Sequence, residues 1–342
     1  MKKVFLPFII ILISLHFSIA QDHLLELNPA CPGVQSPFTK VLVLDKLANK
    51  ELLGFVQKGA FNKREQIRYE GSLADTLGKY FTLNSSSATK PRTLVLLMNE
   101  LFLSEITGGF SESGSLKLSL RLFAEKDNGS YSELFSIDSV YTVRGMDVTK
   151  KLLRSVNEQF CNIANKASSL KADDYKSKIE YTLSDLNILD NLEKLSVPFY
   201  TAEHPPKGIY NNYNSLKVNT PNDACEIFVD TANAKKIKVY KVYKVKNRKF
   251  RLETEGIYAV SNGEKLYKAT PYGFYEVKKD GTDFFYERPA TISEANSGAA
   301  VGAAFGLVGA LVASGLSDNS PRFYRFKINY RYGNSIPVAI IQ

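Results

Sequence analysis

Between residues 115 and 166 the spacing of apolar residues changes from every second position to every third or fourth position. This change constrains the fold more than any other feature. Over residues 115–123 leucines alternate with polar residues, which is the period of two that a half-buried strand shows. Over residues 147–166 apolar residues recur every three or four positions, as they do on one face of a helix. A half-buried strand followed by an amphipathic helix predicts an α+β layer in which the helix covers the sheet.

Turn and cap signals complete this first region. The triplet Asp127-Asn128-Gly129 is a strong hairpin signal, and residues 134–143 are the predicted returning strand. Further strands are predicted at residues 38–44 and 94–103, and a helix at residues 72–81. The chain therefore predicts an α+β domain, with a sheet and covering helices, over residues 21–167.

The second half of the chain differs in composition and in the spacing of its apolar residues. Residues 168–205 are more polar, contain prolines, and predict a helical linker. From residue 206 to residue 342, short aromatic-rich runs alternate with turn residues at a spacing of about 8–12 positions. This spacing predicts a β-rich meander or barrel-like domain, so the expected fold class of the whole chain is α+β.

One segment inside the β-rich region contains no charged residue. Over residues 298–316, small residues recur at intervals of four, at Gly298, Gly302, Gly306, Ala310 and Ser314. On a helix these residues form one ridge, which lets a second helix approach closely. Three interpretations stay open: packing within the domain or in an oligomer, peripheral or partial membrane insertion, and a single membrane span. Strands predicted on both sides of the segment favour the first.

The amino terminus predicts export. Lys2 and Lys3 precede an apolar run over residues 4–17, and small residues Ser18 and Ala20 follow that run. This is the three-part pattern of a signal peptide, predicted over residues 1–20. We therefore expect an exported protein that is periplasmic, associated with the outer membrane, or extracellular.

Three cysteines, Cys31, Cys161 and Cys225, limit the covalent links. An exported chain can form disulfides, but three cysteines allow at most one internal bridge. Cys161 with Cys225 is one candidate pair, and three reduced, buried thiols are an equal alternative. The spacing of the cysteines fits no metal motif, and we expect neither a metal nor a cofactor.

The sequence favours a protein that is not an enzyme. After removal of the signal peptide only His23 and His204 remain as histidines, and neither lies in a segment that predicts a rigid scaffold. No nucleophile elbow or phosphate-binding loop is present. The alternative is an exported hydrolase that uses carboxylates such as Glu253 and Glu255, which share one face of a predicted strand.

Positive charge is concentrated in one stretch of a chain whose formal net charge is +9. Tyrosines interleave with basic residues over residues 235–249, and the candidate anion-binding residues are Lys236, Lys238, Lys241, Lys244 and Lys246. Such a strand can face lipid headgroups or glycans. The alternative, which the sequence favours, is the solvated face of an edge strand, where lysine prevents aggregation. Candidate partners are a second copy of the chain, a membrane, or an anionic envelope component; nucleic acid is not expected.

Two resemblances accompany these patterns. Gly208-Ile209-Tyr210, followed by Asn219-Thr220-Pro221, resembles the entry to a β-rich region in uncharacterised exported bacterial proteins, which implies no activity. The order of predicted elements over residues 94–167 is similar to the auxiliary lipoproteins of lipid-transport ABC systems, although this chain lacks their lipid-bearing cysteine. The resulting hypothesis is an exported envelope protein for binding or structure that self-associates or contacts a membrane through residues 298–316.

Overall fold

The computed structural model describes residues 23–31, 36–47, 50, 53–58, 63–82, 92–107, 112–170, 179–233, 237–243, 248–290 and 322–341. The helices are α1 (Leu73–Thr82), α2 (Thr149–Ser169), α3 (Leu183–Asn187), α4 (Leu189–Leu195), α5 (Pro198–Thr201) and α6 (Tyr213–Lys217). The strands of the first half are β1 (His23–Leu24), β2 (Phe38–Asp45), β3 (Gly54–Lys58), β4 (Lys63–Arg68), β5 (Arg92–Thr107), β6 (Glu112–Glu125) and β7 (Tyr131–Gly145). Those of the second half are β8 (Gly208–Tyr210), β9 (Glu226–Asp230), β10 (Lys238–Tyr243), β11 (Arg248–Arg251), β12 (Ala259–Ser261), β13 (Leu266–Thr270), β14 (Gly273–Asp280), β15 (Asp283–Ala290), β16 (Arg322–Ile328) and β17 (Ser335–Ile340).

The first half forms one mixed sheet in the order β1-β4-β3-β5-β6-β7. The long strand β5 pairs antiparallel with β6 along one edge, and parallel with β2 and then β3 along the other edge. The predicted hairpin is confirmed: β6 and β7 pair antiparallel, and the amide of Lys126 donates to the Ser130 carbonyl at 2.8 Å. The predicted helices at residues 72–81 and 147–166 correspond to α1 and α2.

Alternation along β6 decides which residues enter the core. Its leucines at positions 116, 118, 120 and 122 are fully buried and pack with α1 and α2. The opposite face of the sheet carries a smaller cluster, in which Phe123 packs with Leu186 of α3 and Leu189 of α4. Helices therefore lie on both faces, and Arg121 on the polar face of β6 points toward α4.

The disulfide corrects one prediction. Cys161 of α2 bonds to Cys31, with their Cα atoms 5.4 Å apart, and Cys225 is a free, half-buried thiol. The candidate pair Cys161 with Cys225 was wrong because the N-terminal segment is held against α2. There, Asn157 accepts a hydrogen bond from the amide of Asn28 at 2.7 Å. The N-terminal strand β1 also pairs with β4, which places Cys31 within reach of the helix.

The second half forms an antiparallel sheet in the order β17-β16-β15-β14-β13-β12-β8, so the predicted β-rich region is confirmed. One face of this sheet packs on α5 and α6, through Tyr200, Tyr213 and Leu216. The other face packs on a separate three-stranded sheet in the order β11-β10-β9. Residues 298–316, expected to form an inserted glycine-ridged helix or hairpin, lie outside the described residues. So do residues 1–20, the predicted signal peptide.

Within the described ranges, none of the helices has the length and hydropathy needed to cross a membrane.

Candidate functional site: an aromatic–basic ribbon

We use the name aromatic–basic ribbon for the three-stranded sheet of β9, β10 and β11. The ribbon is anchored at its root by apolar residues on one face. Val239 is fully buried and Ile227 nearly so, and both pack against Tyr267 and Phe274 of the large C-terminal sheet. An isolated bridge between Ile237 and Phe274 fixes the start of β10. The remainder of the ribbon projects from this anchor.

The face opposite the anchor carries aromatic rings with cations over them. Phe228 and Tyr240 are directly opposite each other in register, with ring centroids 6.0 Å apart. The ammonium of Lys249 lies 3.3 Å from the Phe228 ring centroid, and Arg251 pairs with Tyr240 in register. A cation over a ring face is held by the ring quadrupole, yet it stays in solvent and remains available to an anion.

Toward the end of β10 and the start of β11, the face that carries Ile227 and Val239 no longer packs on the large sheet and is exposed. Tyr243 and Phe250 are 46% and 53% exposed, and their rings meet edge to face at 5.0 Å. Arg248 pairs with Tyr243 in register and is exposed. The far end of the ribbon therefore presents Tyr243, Phe250 and Arg248 on one face and Lys249 on the other. Lysine and arginine alone would protect a strand edge, but exposed aromatic rings serve no such purpose.

The predicted anion-binding lysines divide into two groups. Lys238 and Lys241 lie on β10, while Lys236, Lys244 and Lys246 lie outside the described residues. The ammonium of Lys241 bonds to the carboxylate of Asp223, and this hydrogen bond raises the pKa of Lys241. Lys241 is therefore committed to an ion pair, and the cations of β11 are the better candidates for anion binding.

A crevice of about 170 Å³ separates the root of the ribbon from the large C-terminal sheet. Lys238, Arg251 and Glu253 line one side, and Tyr272 and Tyr275 line the other. Arg251 lies 3.7 Å from Glu253, so this crevice contains an acid as well as cations.

Sequence patterns missed a second charged region, at the junction of the two sheets. Arg121 of β6 is 2% exposed and binds two carboxylates, Glu133 of β7 at 2.6 Å and Glu193 of α4 at 2.7 Å. Burial alone would lower the pKa of the Arg121 guanidinium, but the hydrogen bonds and charges of Glu133 and Glu193 raise it. Glu193 also accepts a hydrogen bond from Tyr330 of the C-terminal half at 2.5 Å.

A cavity of about 250 Å³ lies beside this junction, between Asn99 of β5, α4 and the C-terminal sheet. The charged side chains that line this cavity contact other polar groups of the protein. Buried Lys194 contacts Asp283 at 2.8 Å, and Asp190 accepts a hydrogen bond from Tyr330 at 2.9 Å. These contacts make the junction a structural contact between the two halves, because its polar groups are used within the protein.

Two further titratable groups have unusual surroundings. Burial, with a contribution from Asp138, raises the pKa of Glu100 to about 8, although nearby Lys117 opposes the shift. Burial, together with nearby Arg288, lowers the pKa of Lys268 to about 8. The Lys268 ammonium donates to the Tyr258 and Ala269 carbonyls at 3.1 and 3.0 Å. No spacing in the sequence marks either residue, since their environments come from tertiary packing.

The candidate hydrolytic pair does not share a strand face as expected, because β11 ends at Arg251 and the chain turns over residues 252–256. Glu253 and Glu255 are exposed, and Glu253 faces Arg251. His204 is exposed beside Glu203, and His23 lies 3.9 Å from Glu65 in β4. Across the described part of the chain, no group of three or more His, Cys, Asp or Glu side chains could hold a metal ion.

Comparisons with known proteins add little to this geometry. No family model matches the chain, and no curated protein matches it. Among solved structures, it is similar in part to the crystal structure of protein XCC0632 from Xanthomonas campestris, which carries the family label DUF330. The likeness covers 43% of this chain and 91% of that chain, at 11% sequence identity and a TM-score of 0.25. At this level it assigns neither a family nor a function.

Proposed function

We propose that this protein is an exported cell-envelope protein, without catalytic activity, that binds anionic lipid surfaces through the aromatic–basic ribbon. The observation that carries the proposal is the far end of the ribbon. There, Tyr243 and Phe250 are exposed beside Arg248 on one face, and Lys249 on the other face lies over the ring of Phe228, which is exposed nearer the root.

The aromatic residues supply the first part of the binding energy. Exposed aromatic rings on a narrow projection can enter the headgroup region of a membrane, where an amphipathic tyrosine is favoured. Phe250 and Tyr243 already contact each other edge to face, so they can enter as one unit with little loss of side-chain freedom. Burial of apolar area at the interface then stabilises the bound state.

The cations supply the second part. A lysine or arginine near an anionic bilayer surface contributes about 1 kcal/mol. Arg248 and Lys249 are neighbours on the exposed edge strand β11 and point to opposite faces, so a membrane that meets the edge of the ribbon can contact both. Glu226, at the start of β9, lies 3.2 Å from Lys207, which is not part of the ribbon. This ion pair offsets one negative charge of the ribbon that would otherwise repel an anionic surface.

Export and the glycine-ridged segment belong to the same proposal. The disulfide between Cys31 and Cys161 supports an oxidising compartment, which agrees with the predicted signal peptide. In this proposal residues 298–316 are a second element for membrane contact or self-association, supported by their sequence pattern.

The direct test is co-sedimentation of the purified chain with vesicles of phosphatidylglycerol or of phosphatidylcholine. We expect binding to the anionic vesicles that weakens with salt, since screening reduces the attraction. In the double variant Arg248→Glu/Lys249→Glu, affinity for the anionic vesicles should fall by at least about 30-fold, from two cations at about 1 kcal/mol each.

The matched control is Lys150→Glu/Lys278→Glu, which makes the same change in net charge on exposed residues of α2 and β14. This control should bind almost as well as the wild type. Equal loss in both double variants would show that net charge alone drives binding. Equal binding of the wild type to both vesicle types would reject the proposed lipid surface.

A further inference from the structure

Strand β7 is the longest edge strand of the N-terminal sheet over the described residues; the eight-residue β2, which pairs there only with β5, is a shorter one. Strand β7 contains 15 residues and pairs with β6 along one side. Over the described residues, its other side carries a single bridge, from Tyr131 to Tyr181 at the very start of the strand. An edge of this length presents a row of backbone donors and acceptors that can pair with another strand.

The other described edge strands carry devices that limit such pairing. Strands β1 and β8 have two and three residues, and β9 has five with an acid at each end. Strand β2 carries Lys40, and β11 carries three cations in four positions. Strand β17 contains Pro337, which has no backbone N–H to donate. Strand β7 contains neither lysine nor proline, and its two acids turn inward: Glu133 to Arg121 and Asp138 to Lys117. Its edge is therefore left open to pairing.

The sequence of β7 is complementary to itself when two copies run antiparallel. A two-fold axis at Ser139 pairs Phe135 with Val143 of the second copy, and Ile137 with Tyr141. In each copy these four residues lie on the core face and are only partly buried. Pairing across the axis would continue that apolar row from one copy into the next.

The charged residues of β7 do not oppose the same register. Arg144, exposed near the end of the strand, would lie opposite Leu134, and Asp138 would lie opposite Val140, so no like charges face each other across the axis. A two-fold axis repeats each contact on both sides, as an isologous interface requires.

We infer that two copies of this chain associate through β7, forming one continuous sheet with a two-fold axis at Ser139. The paired stretch, residues 135–143, spans about 30 Å. This interface is separate from the aromatic–basic ribbon and from residues 298–316, so it does not depend on the proposed lipid binding.

Sedimentation equilibrium of the full chain tests the inference. We expect a dimer at micromolar concentration for the wild type. Ser139→Lys, which brings two like charges together at the axis, should give a monomer with unchanged circular dichroism. The matched control Thr231→Lys, on the exposed turn after β9, should remain a dimer. A monomeric wild type, or a dimer in Ser139→Lys, would overturn the interface.

Cross-linking tests the register without depending on how Ser139→Lys folds. In a Cys225→Ser background, Ser139→Cys should give a covalent dimer with a short bismaleimide, because residues at the axis have Cβ atoms about 5 Å apart. Ser136→Cys, which faces Thr142 in this register, should react far less. Equal cross-linking of the two variants would contradict the register. Loss of the dimer in Gly302→Leu/Gly306→Leu, with Ser139→Lys unaffected, would place the interface in residues 298–316 instead.

Discussion

The N-terminal domain and the aromatic–basic ribbon use similar residue types in opposite ways. In the N-terminal domain, Arg121 is buried between two carboxylates, and a disulfide ties α2 to the N-terminal segment. In the ribbon, Lys249 lies over an aromatic ring and Arg248 is exposed. A cation whose partners are inside the protein holds elements together, whereas a cation in solvent beside an exposed ring can meet an external anion. The comparison distinguishes charged side chains that stabilise the fold from those that are free to bind an external partner.

Removing the disulfide should give the largest difference between the two regions, by destabilising the N-terminal domain and leaving the ribbon unchanged. The bridge closes a loop with a sequence separation of 130, and loss of such a bridge costs about 4 kcal/mol. We expect Cys31→Ser/Cys161→Ser to lower the free energy of unfolding of the N-terminal domain by this amount, measured with urea. Vesicle binding by the folded variant should be unchanged, because the ribbon is anchored on the C-terminal sheet. Loss of binding without loss of stability would contradict this separation.

Breaking the junction ion pairs should have the next largest effect. Arg121→Met leaves Glu133 and Glu193 without their shared cation, and removing one partner of a buried ion pair costs about 3 kcal/mol. Urea unfolding followed by circular dichroism measures the change. The matched control is Arg251→Met in the ribbon, where the exposed guanidinium should matter by less than about 0.5 kcal/mol. Similar losses in both variants would show that the two regions do not differ as described.

Titration of Glu100 should have a smaller effect that depends on pH. Burial raises its pKa from 4.5 to about 8, so the folded protein binds the Glu100 proton more tightly than the unfolded chain does. Stability contributed by this proton is fully present below about pH 4.5 and is lost as the pH rises through about 8. Glu100→Gln should therefore raise the melting temperature at pH 8.5 and change it little at pH 5. Exposed Glu253→Gln should change it at neither pH.

Sequence patterns identified the parts of this fold that depend on local order. Alternating leucines predicted β6, and the Asp-Asn-Gly triplet predicted the hairpin that follows it. The 3.6-residue period of apolar residues predicted α2. The same patterns missed the Arg121 junction, because an arginine on the polar face of a strand gives no sign that α4 will cover it. The disulfide was missed for a similar reason: contacts such as Asn28 with Asn157 are separated by 129 positions. For the ribbon, alternation marked the lysines, but the sequence favoured a solvated edge because the aromatic side chains of β9 and β11 come together only in the folded sheet.

The chain contains no tryptophan, which makes one measurement especially direct. A Phe250→Trp variant carries a single tryptophan at the exposed end of the ribbon, and Phe323→Trp carries one at an exposed position of β16 as the control. With phosphatidylglycerol vesicles, emission from Phe250→Trp should move to shorter wavelength and be quenched by brominated acyl chains, while emission from the control stays unchanged. An unchanged spectrum for Phe250→Trp on vesicles that bind the protein would contradict insertion of the ribbon.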